Sequence, residues 1–137
     1  MAKPPLPSAL DDFLKKPNPS VIGSVQPDGS PHTAATWYLW EDGRALVNMD
    51  ATRKRLENLR NDPRVTLTVV GAENWYQQVT LIGRIGEFAD DTDLGGIDRL
   101  CVHYMGQPYS ARDQQRVNAW IEVESWYAWN GGQYWRG

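Results

Sequence analysis

The residue types best suited to chemistry lie in one short segment, residues 52–65. Thr52 is suited to the N-cap of a helix, and the bases Arg53, Lys54 and Arg55 would then fill the first turn. Positive side chains at a helix N-terminus oppose the helix dipole, typically by about 0.3–1 kcal/mol each. A bound anion reverses this effect, because free backbone N–H groups, the dipole and the bases then act on it together. The segment therefore predicts a site for a phosphorylated ligand.

The alternative is that this basic face is merely solvated. The chain carries 14 Lys and Arg against 17 Asp and Glu, so a run of three bases does not follow from its composition. Leu56 and Leu59 are three residues apart and should face the core, and Arg55 and Asn58 share a second face beside them. The helix must be short, because Asp62-Pro63 ends it.

Composition excludes several other functions. At 137 residues the chain is predicted to form one domain, 1–137, with a loose arm at 1–7 and a tail at 131–137. We expect no membrane span, because no run of 18 apolar residues occurs, and the net charge of −3 argues against nucleic-acid binding. The absence of a signal pattern and the single Cys101 suit the cytoplasm, and two separated histidines give no zinc motif.

Aromatic usage is unusual. The chain has seven Trp and six Tyr but only two Phe. Trp and Tyr combine a large apolar area with a polar group, which favours ligand pockets and subunit interfaces. The alternative is that some of them fill the interior of a small barrel.

The elements around the basic segment are mostly strands. Alternating apolar residues bounded by Gly, Pro and Asp turns predict six of them: 20–26, 31–40, 45–49, 64–70, 75–88 and 117–129. Short helices are predicted near 8–16 and 90–105, and Gly83 and Gly86 suggest bulges within the fifth strand. Six strands joined mainly by hairpins predict a mainly β protein, a small antiparallel barrel.

Four motifs carry a family resemblance: Pro27-Asp28-Gly29-Ser30-Pro31, the pattern from Arg53 to Val65, Gly83-Arg84, and Tyr104-x-Gly106-x-Pro108-Tyr109. With the order of elements, they resemble the FMN-binding split β-barrel of the pyridoxamine-phosphate-oxidase-like flavoproteins. Within that superfamily, the chain is most similar to the deazaflavin-dependent reductases that use coenzyme F420.

The resemblance implies roles for particular residues. Arg53 and Arg55 would bind the phosphate and acidic tail of the cofactor with support from Asn58, and the loop Met49-Asp50-Ala51-Thr52 would line its ribityl-like chain. The strand with Ala34, Ala35 and Trp37 would pass under the ring and offer backbone N–H and C=O groups. The family is typically a homodimer with both sites at the subunit interface.

Strand periodicity adds one further candidate. Gln77 and Gln78 stand in an apolar strand, so one amide should point inward, where Gln78 is a candidate partner for a ring carbonyl. No catalytic acid or base is assigned. His32 is expected to face solvent, while Tyr38 and Tyr76 are expected to pack with satisfied hydroxyls.

The choice of cofactor depends on charge. The strand 31–40 has no Arg or Lys, whereas phosphopyridoxine-oxidising members carry such residues there against FMN. Arg53, Lys54, Arg55, Arg60 and Arg64 would form an extended basic ledge suited to the acidic tail of F420. The expected function is hydride transfer from reduced F420 to a small conjugated substrate. An FMN-binding oxidase or reductase, and a non-catalytic cofactor or haem-type carrier, are the alternatives.

Overall fold

The computed structural model describes residues 1–137, with strands in most of the predicted places. The helices are α1 (Ser8–Leu14), α2 (Lys54–Asn61) and α3 (Gly95–Met105). The strands are β1 (Ser20–Val25), β2 (Pro31–Thr36), β3 (Leu39–Glu41), β4 (Arg44–Asp50), β5 (Arg64–Val70), β6 (Gln77–Asp90), β7 (Arg116–Asn130) and β8 (Gln133–Tyr134). No helix has the length and apolar character needed to cross a membrane.

All strands belong to one antiparallel sheet in the order β2-β1-β5-β6-β7-β4-β3, and β8 pairs separately with β7. The mainly β, antiparallel prediction is confirmed. The prediction of a six-stranded barrel is not, because the sheet has eight strands and its ordered path ends at β2 and β3 without closing. One extra strand comes from the predicted tail, where Trp129 pairs with Tyr134.

The other extra strand arises because the predicted strand 31–40 is broken at Trp37 and Tyr38. β2 pairs with β1 and β3 pairs with β4, so the two halves lie at opposite ends of the sheet. Tyr38 has no strand partner: its N–H donates to the Tyr104 hydroxyl at 3.4 Å and its own hydroxyl donates to the Leu14 carbonyl at 2.8 Å. Tyr38 is fully buried, which confirms its expected packing role.

Two bulges bend the long β6–β7 pair. The register shifts between Ile82 and Gly83 and again between Ile85 and Glu87, which confirms the prediction from Gly83 and Gly86. A Cβ at Gly83 would overlap the backbone carbonyl oxygen of Glu122, so glycine permits the close approach of the two strands there.

Helix α2 is held by its apolar face. Leu56 and Leu59 are buried in the main core, as predicted, and such burial contributes about 1.5–3 kcal/mol for each side chain. The N-cap is Arg53, however, and the expectation that Thr52 would cap the helix is wrong. The Thr52 N–H and hydroxyl both donate to the Asp50 carboxylate, at 2.8 and 2.7 Å, so this side chain stabilises the preceding turn.

A second, smaller core cluster lies under α3. Leu94, Ile97 and Leu100 are buried against Trp37, Leu39 and Tyr109. This contact places α3 beside the break between β2 and β3.

Candidate functional site

An open cleft with a volume of about 810 Å³ lies beside this break. Its walls come from β2, the N-terminus of α2, α3 and the first residue of β7. The volume falls within the range of small-molecule and cofactor sites.

The cleft is positively charged. Arg53, Lys54, Arg55 and Arg116 line it, whereas no Asp or Glu does. Lys54 pairs with Glu57 at 3.5 Å, but neither Arg53, Arg55 nor Arg116 forms a salt bridge. Unpaired cations along a concave wall raise the local concentration of anions. The arrangement can therefore bind a phosphate or carboxylate.

Arg55 lies deepest in this group and is half-buried. One terminal nitrogen donates to the Asn48 carbonyl at 3.2 Å and to the Thr36 hydroxyl at 3.4 Å, while the buried Nε has no partner. Burial, together with the neighbouring charges of Arg53 and Arg116, lowers the pKa of Arg55. A buried cation with an unused donor and two like charges nearby is suited to an anionic ligand.

Arg116 was not found from the sequence. Its Nε donates to the Asn48 side-chain oxygen at 2.7 Å, one terminal nitrogen donates to Gln114 at 2.7 Å, and the guanidinium lies 5.0 Å from the ring centroid of Tyr109. In the sheet, Arg116 on β7 lies opposite Asp50 on β4, and Asp50 is three residues before Arg53. The register of β4 against β7 would have been needed to place Arg116 beside the basic segment.

An aromatic wall faces the same cleft. The rings of Trp37 and Tyr104 stack with centroids 5.4 Å apart and planes 12° apart, and Tyr109 contacts Trp37 edge-on at 6.3 Å. The Tyr104 hydroxyl donates to the Asn18 carbonyl at 2.6 Å, and burial raises the pKa of Tyr104 to about 12, so the phenol is neutral at physiological pH. Flat aromatic surfaces of this kind suit a conjugated ring.

Strand β2 supplies a third surface. It is the last strand of the sheet path, so its outer edge has no strand neighbour to take up its backbone groups. Ala34 and Ala35 leave room for a ligand to approach these groups.

The structure brings five of the ten predicted site residues to the cleft: Ala34, Ala35, Trp37, Arg53 and Arg55. The other five, Met49, Asp50, Thr52, Asn58 and Gln78, do not line it. Met49 is fully buried in the core. The Gln78 amide instead donates to the Trp75 carbonyl at 3.3 Å.

Asn58 is close to the basic segment but turned away from the cleft. It is fully buried, and its amide donates to the Ser24 hydroxyl at 3.3 Å. Its side-chain oxygen is buried without a hydrogen-bond partner.

Three further expectations are corrected. His32 was expected to face solvent, but it is partly buried on the cleft wall, and its Nδ1 is buried without a partner. Tyr76 was expected to pack and is 57% exposed.

The basic ledge is narrower than expected, because Arg64 pairs with Asp62 at 2.7 Å and Arg60 lies 4.7 Å from the Phe88 ring centroid. No group of three or more His, Cys, Asp or Glu side chains is placed to bind a metal ion.

Comparisons with a protein family and with solved structures all indicate the same fold family. The sequence model of a protein family, described as pyridoxamine 5'-phosphate oxidase, matches residues 6–130. An F420 reductase structure has a TM-score of 0.78 and 20% identity, covering 85% of this chain and 94% of that chain. No curated protein matches the sequence.

Two other solved structures are similar. A conserved hypothetical protein from Mycobacterium tuberculosis has a TM-score of 0.75 and 22% identity, covering 93% of this chain and 86% of that one. A putative pyridoxamine 5'-phosphate oxidase from Listeria innocua has a TM-score of 0.68 and 17% identity, covering 90% of this chain and 98% of that one. At these identities the likeness concerns the fold.

Proposed function

Because this chain belongs to the pyridoxamine 5'-phosphate oxidase family, we propose that the basic and aromatic cleft binds coenzyme F420 and that the protein is an F420-dependent oxidoreductase. The observation that carries the proposal is the unpaired charge of the cleft: three salt-bridge-free arginines and no carboxylate line it. F420 is an anionic cofactor with a flat ring, and the lining of the cleft includes both free cations and stacked aromatic rings.

The positive groups lie in two tiers. Half-buried Arg55 and Arg116 form an inner tier that suits the phosphodiester, and exposed Arg53 and Lys54 form an outer tier that suits the acidic tail. FMN ends in one phosphate and would leave the outer tier without a ligand. The absence of Arg and Lys from β2 also favours a ring held by backbone groups over FMN.

The residues of the chain would bind and orient the cofactor, and no further catalytic group is required of them. Reduced F420, when bound, supplies a hydride to an electron-poor double bond of a small conjugated substrate. The aromatic wall of Trp37, Tyr104 and Tyr109 would limit the access of water to a ring bound beside it. The proton that the substrate needs can come from water or from a side chain.

Titration with both cofactors tests this function. We expect F420 to bind at least about tenfold more tightly than FMN, a difference of about 1.4 kcal/mol, at low ionic strength. The difference in affinity between F420 and FMN should become smaller as salt is added, because salt screens the contacts between the acidic tail and the exposed outer tier. Equal or tighter binding of FMN would reject F420 in favour of an FMN enzyme of the same family.

We also propose that the protein acts as a homodimer. Trp75, Tyr76 and Tyr134 are each more than half exposed in the single chain, and the Trp129 ring stacks on Tyr134 at 4.4 Å. The Gly131 N–H donates to the Tyr76 carbonyl, so the turn that precedes Tyr134 lies beside the Trp75–Tyr76 loop. These four residues, called the aromatic edge below, would be covered by a second copy of the chain.

A further inference from the structure

Both arginines of the inner tier are held by one residue, Asn48 on β4. Arg55 donates to the Asn48 backbone carbonyl at 3.2 Å, and Arg116 donates to the Asn48 side-chain oxygen at 2.7 Å. Asn48 is 4% exposed. No carboxylate lies in the cleft wall to hold these two cations, so a neutral residue brings two like charges together.

The amide of Asn48 is oriented by acceptors on its other side. Its nitrogen donates to the Asp91 carboxylate at 3.0 Å and to the Asn118 side-chain oxygen at 2.7 Å. Because an ionised carboxylate can only accept a hydrogen bond, Asp91 holds the amide nitrogen of Asn48 on its side and so directs the amide oxygen towards the donor on Arg116. A flipped Asn48 amide would place its oxygen against the Asp91 carboxylate.

Asp91 is in turn held by the N-terminus of α3. Its carboxylate accepts the N–H groups of Gly96 and Ile97, at 2.8 and 2.9 Å. A Cβ at Gly96 would overlap the Asn118 amide, so α3 packs directly onto this network. The helix that carries Tyr104 of the aromatic wall is therefore tied to Asn48.

We propose that Asn48 is a positioning residue that holds Arg116 towards the cleft and so completes the anion site, an inference that rests on the proposed function. A neutral holder leaves the charge of Arg116 free for the ligand, whereas an acidic residue at this position would neutralise it. Of the two inner-tier arginines, only Arg116 contacts the Asn48 side chain, because Arg55 contacts the backbone of Asn48.

Calorimetric titration with inorganic pyrophosphate at low ionic strength tests this inference without either organic cofactor. Arg116→Ala should weaken pyrophosphate binding by about ten- to a hundredfold, and Asn48→Ala by about three- to tenfold. In the Arg116→Ala background, Asn48→Ala should have no further effect. In the Arg55→Ala background, Asn48→Ala should still weaken binding. This pattern of coupling is not expected of a residue that only stabilises the fold.

Asn118→Ala is the matched control. It removes a part-buried hydrogen bond from the same network, while Asp91 still holds the Asn48 amide nitrogen and so keeps the contact between Arg116 and Asn48. It should lower the thermal midpoint to a degree comparable with Asn48→Ala, yet keep pyrophosphate affinity within about twofold of the wild type. If Asn48→Ala does not fold, Asn48→Ser replaces it, because the serine hydroxyl stops short of the position of the amide oxygen.

The two possible failures are distinguishable. The positioning role alone is overturned if Asn48→Ala lowers pyrophosphate affinity equally in the presence and absence of Arg116. It is also overturned if Asn118→Ala lowers that affinity as much as Asn48→Ala does. A wild-type protein that binds neither pyrophosphate nor F420 nor FMN overturns the proposed function and the inference together.

Discussion

Among single residues, Arg55 is unusual because it is a half-buried cation without a salt-bridge partner. It is half-buried, its Nε has no partner, and Arg53 and Arg116 lower its pKa in addition to the effect of burial. Burying a cation without a counter-ion costs free energy. That cost is retained in the free protein and removed when an anion binds, which is the behaviour expected of a binding residue.

Arg55→Ala is therefore expected to weaken F420 binding by about ten- to a hundredfold, because a charge-assisted contact is typically worth about 1.5–3 kcal/mol. Arg53→Ala should have a smaller effect, since Arg53 is exposed. Without cofactor, neither variant should lower the thermal midpoint measurably. Calorimetry and thermal unfolding measure the two quantities.

Arg84→Ala is the control for these variants. Arg84 is an exposed arginine on β6 that does not line the cleft. A loss of affinity in Arg84→Ala equal to that in Arg55→Ala would indicate a general charge effect and contradict a specific site.

At the level of elements, the cleft exists because β2 and β3 diverge. Trp37 and Tyr38 carry the chain from one end of the sheet path to the other, and both contact Tyr104 of α3. The bulges in β6 adjust its pairing with β7, the strand that begins with Arg116. After the bulges this pairing continues to Asp90 opposite Val117, the residue next to Arg116.

Gly83→Ala should lower the free energy of unfolding by about 2–3 kcal/mol, because the added methyl group meets a backbone carbonyl that cannot rotate away. Gly95→Ala is the matched control. A Cβ there lies 3.1 Å from the carboxylate of Asp93, whose flexible end can move, and the position is helical. Denaturant unfolding should show little change in Gly95→Ala; an equal loss in both variants would refute the role of the bulge.

For the whole molecule, the aromatic edge is a surface where several large aromatic side chains are exposed to solvent. Trp75 is 65% exposed and Tyr76 57% exposed. Surfaces of this composition in a single chain commonly mark an interface.

Sedimentation velocity at micromolar concentration should report a dimer. The double variant Trp75→Ser with Tyr76→Ser should shift it towards monomer, because large aromatic contacts dominate interface energies. Since both side chains are exposed within the chain, its secondary structure by circular dichroism should be unchanged. A wild-type protein that sediments as a stable monomer would exclude the proposed dimer.

Local patterns were enough to predict most of the elements. Apolar periodicity placed Leu56 and Leu59 in the core, and Gly83 and Gly86 marked the bulges, because helix and strand repeats and backbone sterics depend on neighbouring residues. The basic segment pointed to the cleft for the same reason, since Arg53, Lys54 and Arg55 are consecutive.

Long-range pairing decided the rest. Arg116 and Asn48 are 68 residues apart, and they meet only because β4 pairs with β7 in one register. A slip of one residue would turn each side chain to the opposite face. The break at Trp37 likewise depends on Tyr104 and Leu14, which are distant in the chain. The proposed anion site could thus be predicted from consecutive bases, whereas its third arginine, Arg116, and its aromatic wall depend on contacts that periodicity does not encode.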